Sequence, residues 1–148
     1  MTYFDTSALI KRFVTEKGSA LVQRLVAKES LVATATVAYA EIYAGLTRKH
    51  RDQHLLPTQY TLACRQFERD WQAYLRVELR DEILQLAREL IQRHPLRGFD
   101  AIHLASALSL KAGLDGDVTF AAADERLLRA ASAEDLAVLN VETAAGSS

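Results

Sequence analysis

The chain has 148 residues, with 18 Lys and Arg against 19 Asp and Glu, so its formal charge at neutral pH is −1. Hydrophobic residues make up 49% and charged residues 25%, a globular balance that argues against disordered, collagenous and strongly basic nucleic-acid-tail classes. A single cysteine, Cys64, rules out an intrachain disulfide and with it zinc ribbons and CxxC redox chemistry.

The first β-like run, Thr2 to Phe4, passes through Asp5 into helical spacing over Ala8 to Val14. A helix over Ala20 to Lys28 leads to the second run, Leu31 to Ala35, and the helix expected over Val37 to Arg51 carries Glu41 among Val37, Ala38, Ala40, Ile42 and Ala44. The segment Gln59 to Tyr74 reads as a helix rich in aromatic residues, mostly core, with an exposed share that is a candidate dimer or antitoxin surface, and Arg76 to Leu79 is the third run. Asp81 reads as the N-cap of a helix over Glu82 to Arg93, in which Ile83, Ala87, Leu90 and Ile91 share a face, and Pro95 ends it. Asp100 precedes the helix Ala101 to Lys111, with Gly113 as its C′ residue. The fourth run, Val118 to Ala122, delivers Asp124 to another helix start, and Ala137 to Val141 is the fifth.

Strands alternating with helices predict an α/β fold with a mostly parallel sheet of about five strands, covered on both faces. No basic, apolar leader opens the chain, and the longest apolar runs, 31–40 and 101–110, are far short of the roughly 20 residues of a membrane span. The expectation is one cytoplasmic domain over 1–143, no membrane contact, and a short flexible tail over 144–148, where Ala-Ala-Gly-Ser-Ser is the first linker-like composition.

In such sheets ligands bind beyond the carboxyl ends of the strands, which draws attention to Asp5, Glu41, Asp100 and Asp124. Their separations of 36, 59 and 24 residues belong to no local motif, so only the fold can bring them together. Carboxylates about 4 Å apart repel by about 4 kcal/mol per pair at an effective dielectric of 20, so such a cluster demands cations or protons. Oxygen ligands without Cys or His partners suit Mg2+ or Mn2+, and the implied chemistry is phosphoryl transfer or phosphodiester hydrolysis. Taken singly, Asp5, Asp100 and Asp124 are equally what helix capping and the helix dipole favour. Glu41 is harder to explain that way, because its helix is apolar on most sides and a buried unpaired charge is costly.

Four blocks, Tyr3-Phe4-Asp5-Thr6-Ser7-Ala8-Leu9, Tyr39-Ala40-Glu41-Ile42, Leu96-Arg97-Gly98-Phe99-Asp100-Ala101-Ile102-His103-Leu104-Ala105 and Ala123-Asp124-Glu125-Arg126-Leu127-Leu128, resemble in that order the motifs of PIN-domain ribonucleases. The length and the third block are similar to VapC toxins of bacterial toxin–antitoxin pairs. The resemblance covers residues 2 to 141. It implies a three-layer α/β/α sandwich, a Mg2+- or Mn2+-dependent endoribonuclease acting on RNA, a homodimer, and inhibition by a VapB-type antitoxin. By the same mapping the acidic catalytic and metal site is Asp5, Glu41, Asp100 and Asp124, with Ser7 near the metal or scissile phosphate. One position departs from the pattern: Ala122 stands two before the fourth aspartate, where the family often has Thr or Ser.

His103 falls three residues after Asp100, on the same helix face, and is read as packed or hydrogen-bonded behind the site rather than catalytic. A Ser7–His103–Asp triad is disfavoured by the lack of a Gly-x-Ser-x-Gly elbow. Without the four acids the rest of the chain carries +3, and Lys11-Arg12, Arg48-Lys49-His50-Arg51 and Arg93-His94 with Arg97 are candidate phosphate contacts, Arg97 foremost, with the second cluster better explained as a solvated helix face and C-terminal charges favoured by the helix dipole. The rivals are a catalytically degenerate binding or scaffold module of the same fold and another Mg2+-dependent phosphoryl-transfer enzyme. A haloacid-dehalogenase-like phosphatase needs a second Asp where Ser7 stands, and a receiver domain finds only a weak match at Leu79-Arg80-Asp81.

Overall fold

Strand β1 (Thr2–Phe4) lies at the centre of a five-stranded sheet in the computed structural model, which describes residues 1–144. It leads into α1 (Thr6–Leu9), a 3-10 turn (Ile10–Arg12), α2 (Ser19–Lys28), β2 (Val32–Ala35), α3 (Ala38–Arg51) and α4 (Pro57–Ala73). Then come β3 (Leu75–Val77), α5 (Asp81–Arg93), α6 (Gly98–Gly113), β4 (Thr119–Ala122), α7 (Glu125–Ala133) and β5 (Ala137–Asn140). The order across the sheet is β3-β2-β1-β4-β5, and every neighbouring pair is parallel.

The strands are short and apolar on both faces because both faces are covered. Tyr3, Ala33, Ala35, Phe120 and Ala122 point into a core shared with Ile83, Leu90, Leu104 and Leu127 from α5, α6 and α7. Their neighbours Phe4, Val32 and Ala121 point the other way, into a core with Leu9, Ile42, Leu46, Phe67 and Trp71 from α1, α3 and α4. The result is the expected three-layer α/β/α sandwich. No helix among the described residues is long and apolar enough to cross a membrane. Of the expected tail, residues 145–148 lie outside the described residues.

Several boundaries differ from the sequence reading: α1 starts at Thr6 and gives way to a 3-10 turn at Ile10, α4 starts at Pro57, and β3 is Leu75–Val77 rather than Arg76 to Leu79. Three more concern α5 and α6. Arg80, with extended backbone, caps α5, and Asp81 is the first helical residue, where its charge favours the dipole without capping. Helix α6 starts at Gly98 rather than Ala101, so Asp100 sits within its first turn. Gly113 is the last helical residue and Leu114 the cap, not a left-handed C′ glycine.

Because the chain leaves β1 for β2 on one side and reaches β4 on the other, β1 marks the point where the strand order reverses. A crevice opens there beyond the carboxyl ends of the strands. Asp5 follows β1, Asp124 follows β4, and α3 and α6 begin at the same end.

Candidate active site

Asp5 is fixed by backbone and side chain alike. Its N–H donates to Ala121 O at 3.1 Å, extending the β1–β4 ladder, and its carboxylate caps α1 by accepting the Ala8 N–H at 3.0 Å. The Ser7 hydroxyl donates to both carboxylate oxygens, at 2.7 and 2.9 Å. Ser7 Oγ also accepts the Ala123 N–H at 3.1 Å, which ties the exit of β4 to the exit of β1. Asp5 is only 5% exposed. Burial pushes its carboxyl up to about 6; the Asp100 charge adds to the rise, and His103, Ser7 and Ala8 offset part of it.

Asp100 is the third residue of α6 and half-buried. Its carboxyl is also raised, first by burial and then by the Asp124 charge, against the opposing influence of Arg97 and His103. Asp124 is exposed and caps α7, its Oδ1 accepting the Arg126 and Leu127 N–H groups at 2.8 and 3.3 Å. Ala122, fully buried, offers no hydroxyl beside it. Asp5, Asp100 and Asp124 thus form a series, each carboxylate working against the ionisation of the one before it.

Glu41 belongs to a different local environment. Its Oε1 accepts the Thr6 hydroxyl at 2.7 Å and lies 2.8 Å from His103 Nε2. Burial works to raise this carboxyl, but the hydrogen bond and charge of His103, with Thr6, outweigh it and hold the group below its ordinary value. His103 is 3% exposed, and its Nδ1 lies 2.8 Å from the Tyr3 hydroxyl.

Among the described residues, no three His, Cys, Asp and Glu side chains as placed form a group that could hold a metal ion. The chemistry of the donor set nevertheless fits one. Asp5 and Asp100 are carboxylates that burial and like charge hold above their ordinary values, and oxygen donors of this kind suit a hard divalent cation.

The basic residues divide differently from the sequence expectation. Lys11 is buried and held by Glu16 at 3.0 Å and Glu142 at 3.7 Å, and Arg12 pairs with Asp70 at 3.2 Å, so these charges are absorbed inside the fold. Arg93 and His94 both bind Glu134, at 2.9 and 2.6 Å. Arg97 is exposed next to the site, and a cleft runs from Ser7 and Ala123 toward the end of α3, where Arg48 and Lys49 line it together with Glu16, Asp52 and Glu142; Lys49 is paired with Glu16 at 2.8 Å. Thr6 and Tyr3 escaped the sequence reading. Thr6 had a signal in the hydroxyl directly after Asp5; Tyr3 had one in the strand period, which puts it on the same side as Asp5.

Residues 2–133 match the PIN domain family. The chain is 38% identical over 110 residues to Ribonuclease VapC45 of Mycobacterium tuberculosis, covering 74% of this chain and 76% of that protein. Among solved structures it is similar to M. tuberculosis VapC20, a sarcin-ricin loop cleaving toxin, with a TM-score of 0.66 at 18% identity over 96% of this chain and 99% of that one. It is also similar to a chain of a toxin–antitoxin complex from Klebsiella pneumoniae, with a TM-score of 0.58 at 21% identity over 85% of this chain and 88% of that one.

Proposed function

The chain belongs to the PIN-domain family and, within it, to the VapC ribonucleases, and from that premise we propose that its nuclease centre is the crevice around Asp5, Asp100, Asp124 and Glu41. The protein is an endoribonuclease, the toxin of a VapBC-type toxin–antitoxin pair, with an antitoxin as its partner. The observation that carries the assignment of the site is the buried Asp5 carboxyl, raised to about 6 and coupled through Asp100 to Asp124.

Mg2+ or Mn2+ is the cation we assign to this centre, with Asp5, Glu41, Asp100 and Asp124 as the residues that would hold it. When bound, such an ion activates a water for attack on phosphorus and offsets the charge that develops on the leaving oxygen. The protein's own part is placement. Ser7 orients Asp5, His103 and Thr6 orient Glu41, and the rigid ends of β1 and α6 keep the carboxylates from drifting apart. Arg97, exposed beside Asp100, and Arg48, along the cleft from Ser7, are the cations we assign to the RNA backbone. We assign the protein to the cytoplasm as a single domain over 1–143. We further assign it a homodimer, for which Leu84 and Ile91, seven residues apart on α5 and 46% and 44% exposed, offer an apolar face.

The test is cleavage of a mixed structured-RNA pool by the purified protein with Mn2+, with EDTA, and with Asp100→Asn in place of the parent. Cleavage is expected only with Mn2+ and an intact Asp100. Equal cleavage by the mutant would remove Asp100 from the chemistry, and a folded protein that neither cleaves nor binds Mn2+ would point to the scaffold module instead.

A further inference from the structure

We propose that Tyr3 is a positioning residue of the metal centre, acting through His103 to fix the carboxylate of Glu41. The inference rests on the site assignment above and extends it to a side chain that touches none of the four acids. Four elements meet at one buried imidazole: His103 on α6 lies between Tyr3 of β1, Glu41 of α3 and Thr6 of α1. The chemistry of the partners orders the hydrogen bonds. An ionised carboxylate only accepts, so Nε2 carries the proton that goes to Glu41 Oε1 at 2.8 Å. In the neutral imidazole Nδ1 is then the acceptor and the Tyr3 hydroxyl donates to it, whereas in the imidazolium Nδ1–H donates to the hydroxyl; in either form the 2.8 Å bond fixes the ring. Without that hydroxyl a buried ring nitrogen loses its partner, and the imidazole is held only from its Nε2 side, by Glu41 and Thr6.

The two hydrogen bonds at Glu41 are concentrated on one oxygen. Thr6 Oγ1 and His103 Nε2 both reach Oε1, at 2.7 and 2.8 Å, and Oε2 is left with no hydrogen-bond partner among the described residues. A carboxylate held by one oxygen, with the other open, is prepared to ligate a cation in a fixed orientation. The Tyr3 ring is itself immobilised. It stacks on Phe120 with centroids 5.5 Å apart and planes 9° apart, and meets the His103 ring edgewise at 5.9 Å. Packing alone would be satisfied by phenylalanine at this position, so the hydroxyl is the informative atom. Partners one shell behind a ligand typically alter metal affinity or activity by about 10–100-fold.

Tyr3→Phe keeps the ring and removes only that atom. Calorimetric titration of the full chain with Mn2+ alone is expected to show affinity reduced about tenfold in Tyr3→Phe. In a Glu41→Gln background the same change should have no further effect on the affinity that remains. A merely structural hydroxyl would lower the melting temperature in both backgrounds and leave Mn2+ affinity unmoved, which would overturn the inference. His103→Gln, whose amide can still donate to Glu41, should bind Mn2+ more tightly than His103→Leu, and equal affinities there would overturn it too. That pair keeps the question answerable if Tyr3→Phe does not fold. The two readings fail separately: parental affinity in Tyr3→Phe with loss in Glu41→Gln defeats the Tyr3 inference alone, whereas parental affinity in Glu41→Gln removes Glu41 as a ligand and the site assignment with it.

Discussion

Asp5 is a residue on which folding and function make opposite demands. Burial raises its carboxyl from 3.8 to about 6, so the folded chain prefers the protonated form. The associated stability is fully present below pH 3.8 and is lost as the pH rises through about 6, leaving the metal-free protein at pH 7 with a destabilising charge. A rise of that size corresponds to about 3 kcal/mol. Asn retains the N-cap role and can still accept from Ser7, so in EDTA Asp5→Asn is expected to gain about 3 kcal/mol at pH 7.5 and almost nothing at pH 4. Urea denaturation at the two pH values measures this, and a gain of equal size at both would show that the charge of Asp5 is not its source. Glu41 has the reverse sign. Its lowered carboxyl contributes stability that is present above the ordinary glutamate value and is lost as the pH falls through the folded one.

The elements around the crevice were legible to different degrees, for physical reasons. β1, β2, β4 and β5 fall within a residue of the runs read from the sequence, because their apolar stretches are short and sharply bounded. The start of α6 is not legible because Gly98 is a poor helix former and Arg97 offers no side-chain hydrogen bond as a cap. Sheet order and the meeting of β1, α3 and α6 at one histidine are non-local, so no periodicity could disclose them. Lys11 illustrates the same limit. Its charge looked available for phosphate, yet it lies under the segment after β5, where Glu142 and Glu16 hold it. Gly18 makes that arrangement possible. It adopts φ +91°, and a Cβ there would sit 2.8 Å from Val141 O and 3.1 Å from Lys11 Cδ. Gly18→Ala is expected to lower stability by about 1–3 kcal/mol through backbone strain and collision with a main-chain oxygen. Chemical denaturation checks it, and an unchanged midpoint would mean that the segment after β5 yields without cost.

For the whole molecule the acidic crevice couples cation binding to folding. A ligand that binds only the folded chain stabilises it by about 2.7 kcal/mol at a free concentration 100 times its dissociation constant, so saturating Mn2+ should raise the melting temperature. Protons compete with the cation for the same carboxylates, and Asp5 gives up its proton only near pH 6. The increment from Mn2+ should therefore be small at pH 5 and grow toward pH 7.5, whereas without metal the Asp5 contribution falls over the same range. Asp100→Asn should weaken both trends together: it removes a ligand, shrinking the Mn2+ increment, and it removes a charge that works against Asp5, raising metal-free stability near neutral pH. Thermal unfolding of parent and mutant, with EDTA and with Mn2+ at each pH, supplies all four comparisons. A Mn2+ increment that is independent of pH and unaffected by Asp100→Asn would place the cation elsewhere on the molecule and separate the stability of the fold from its nuclease chemistry.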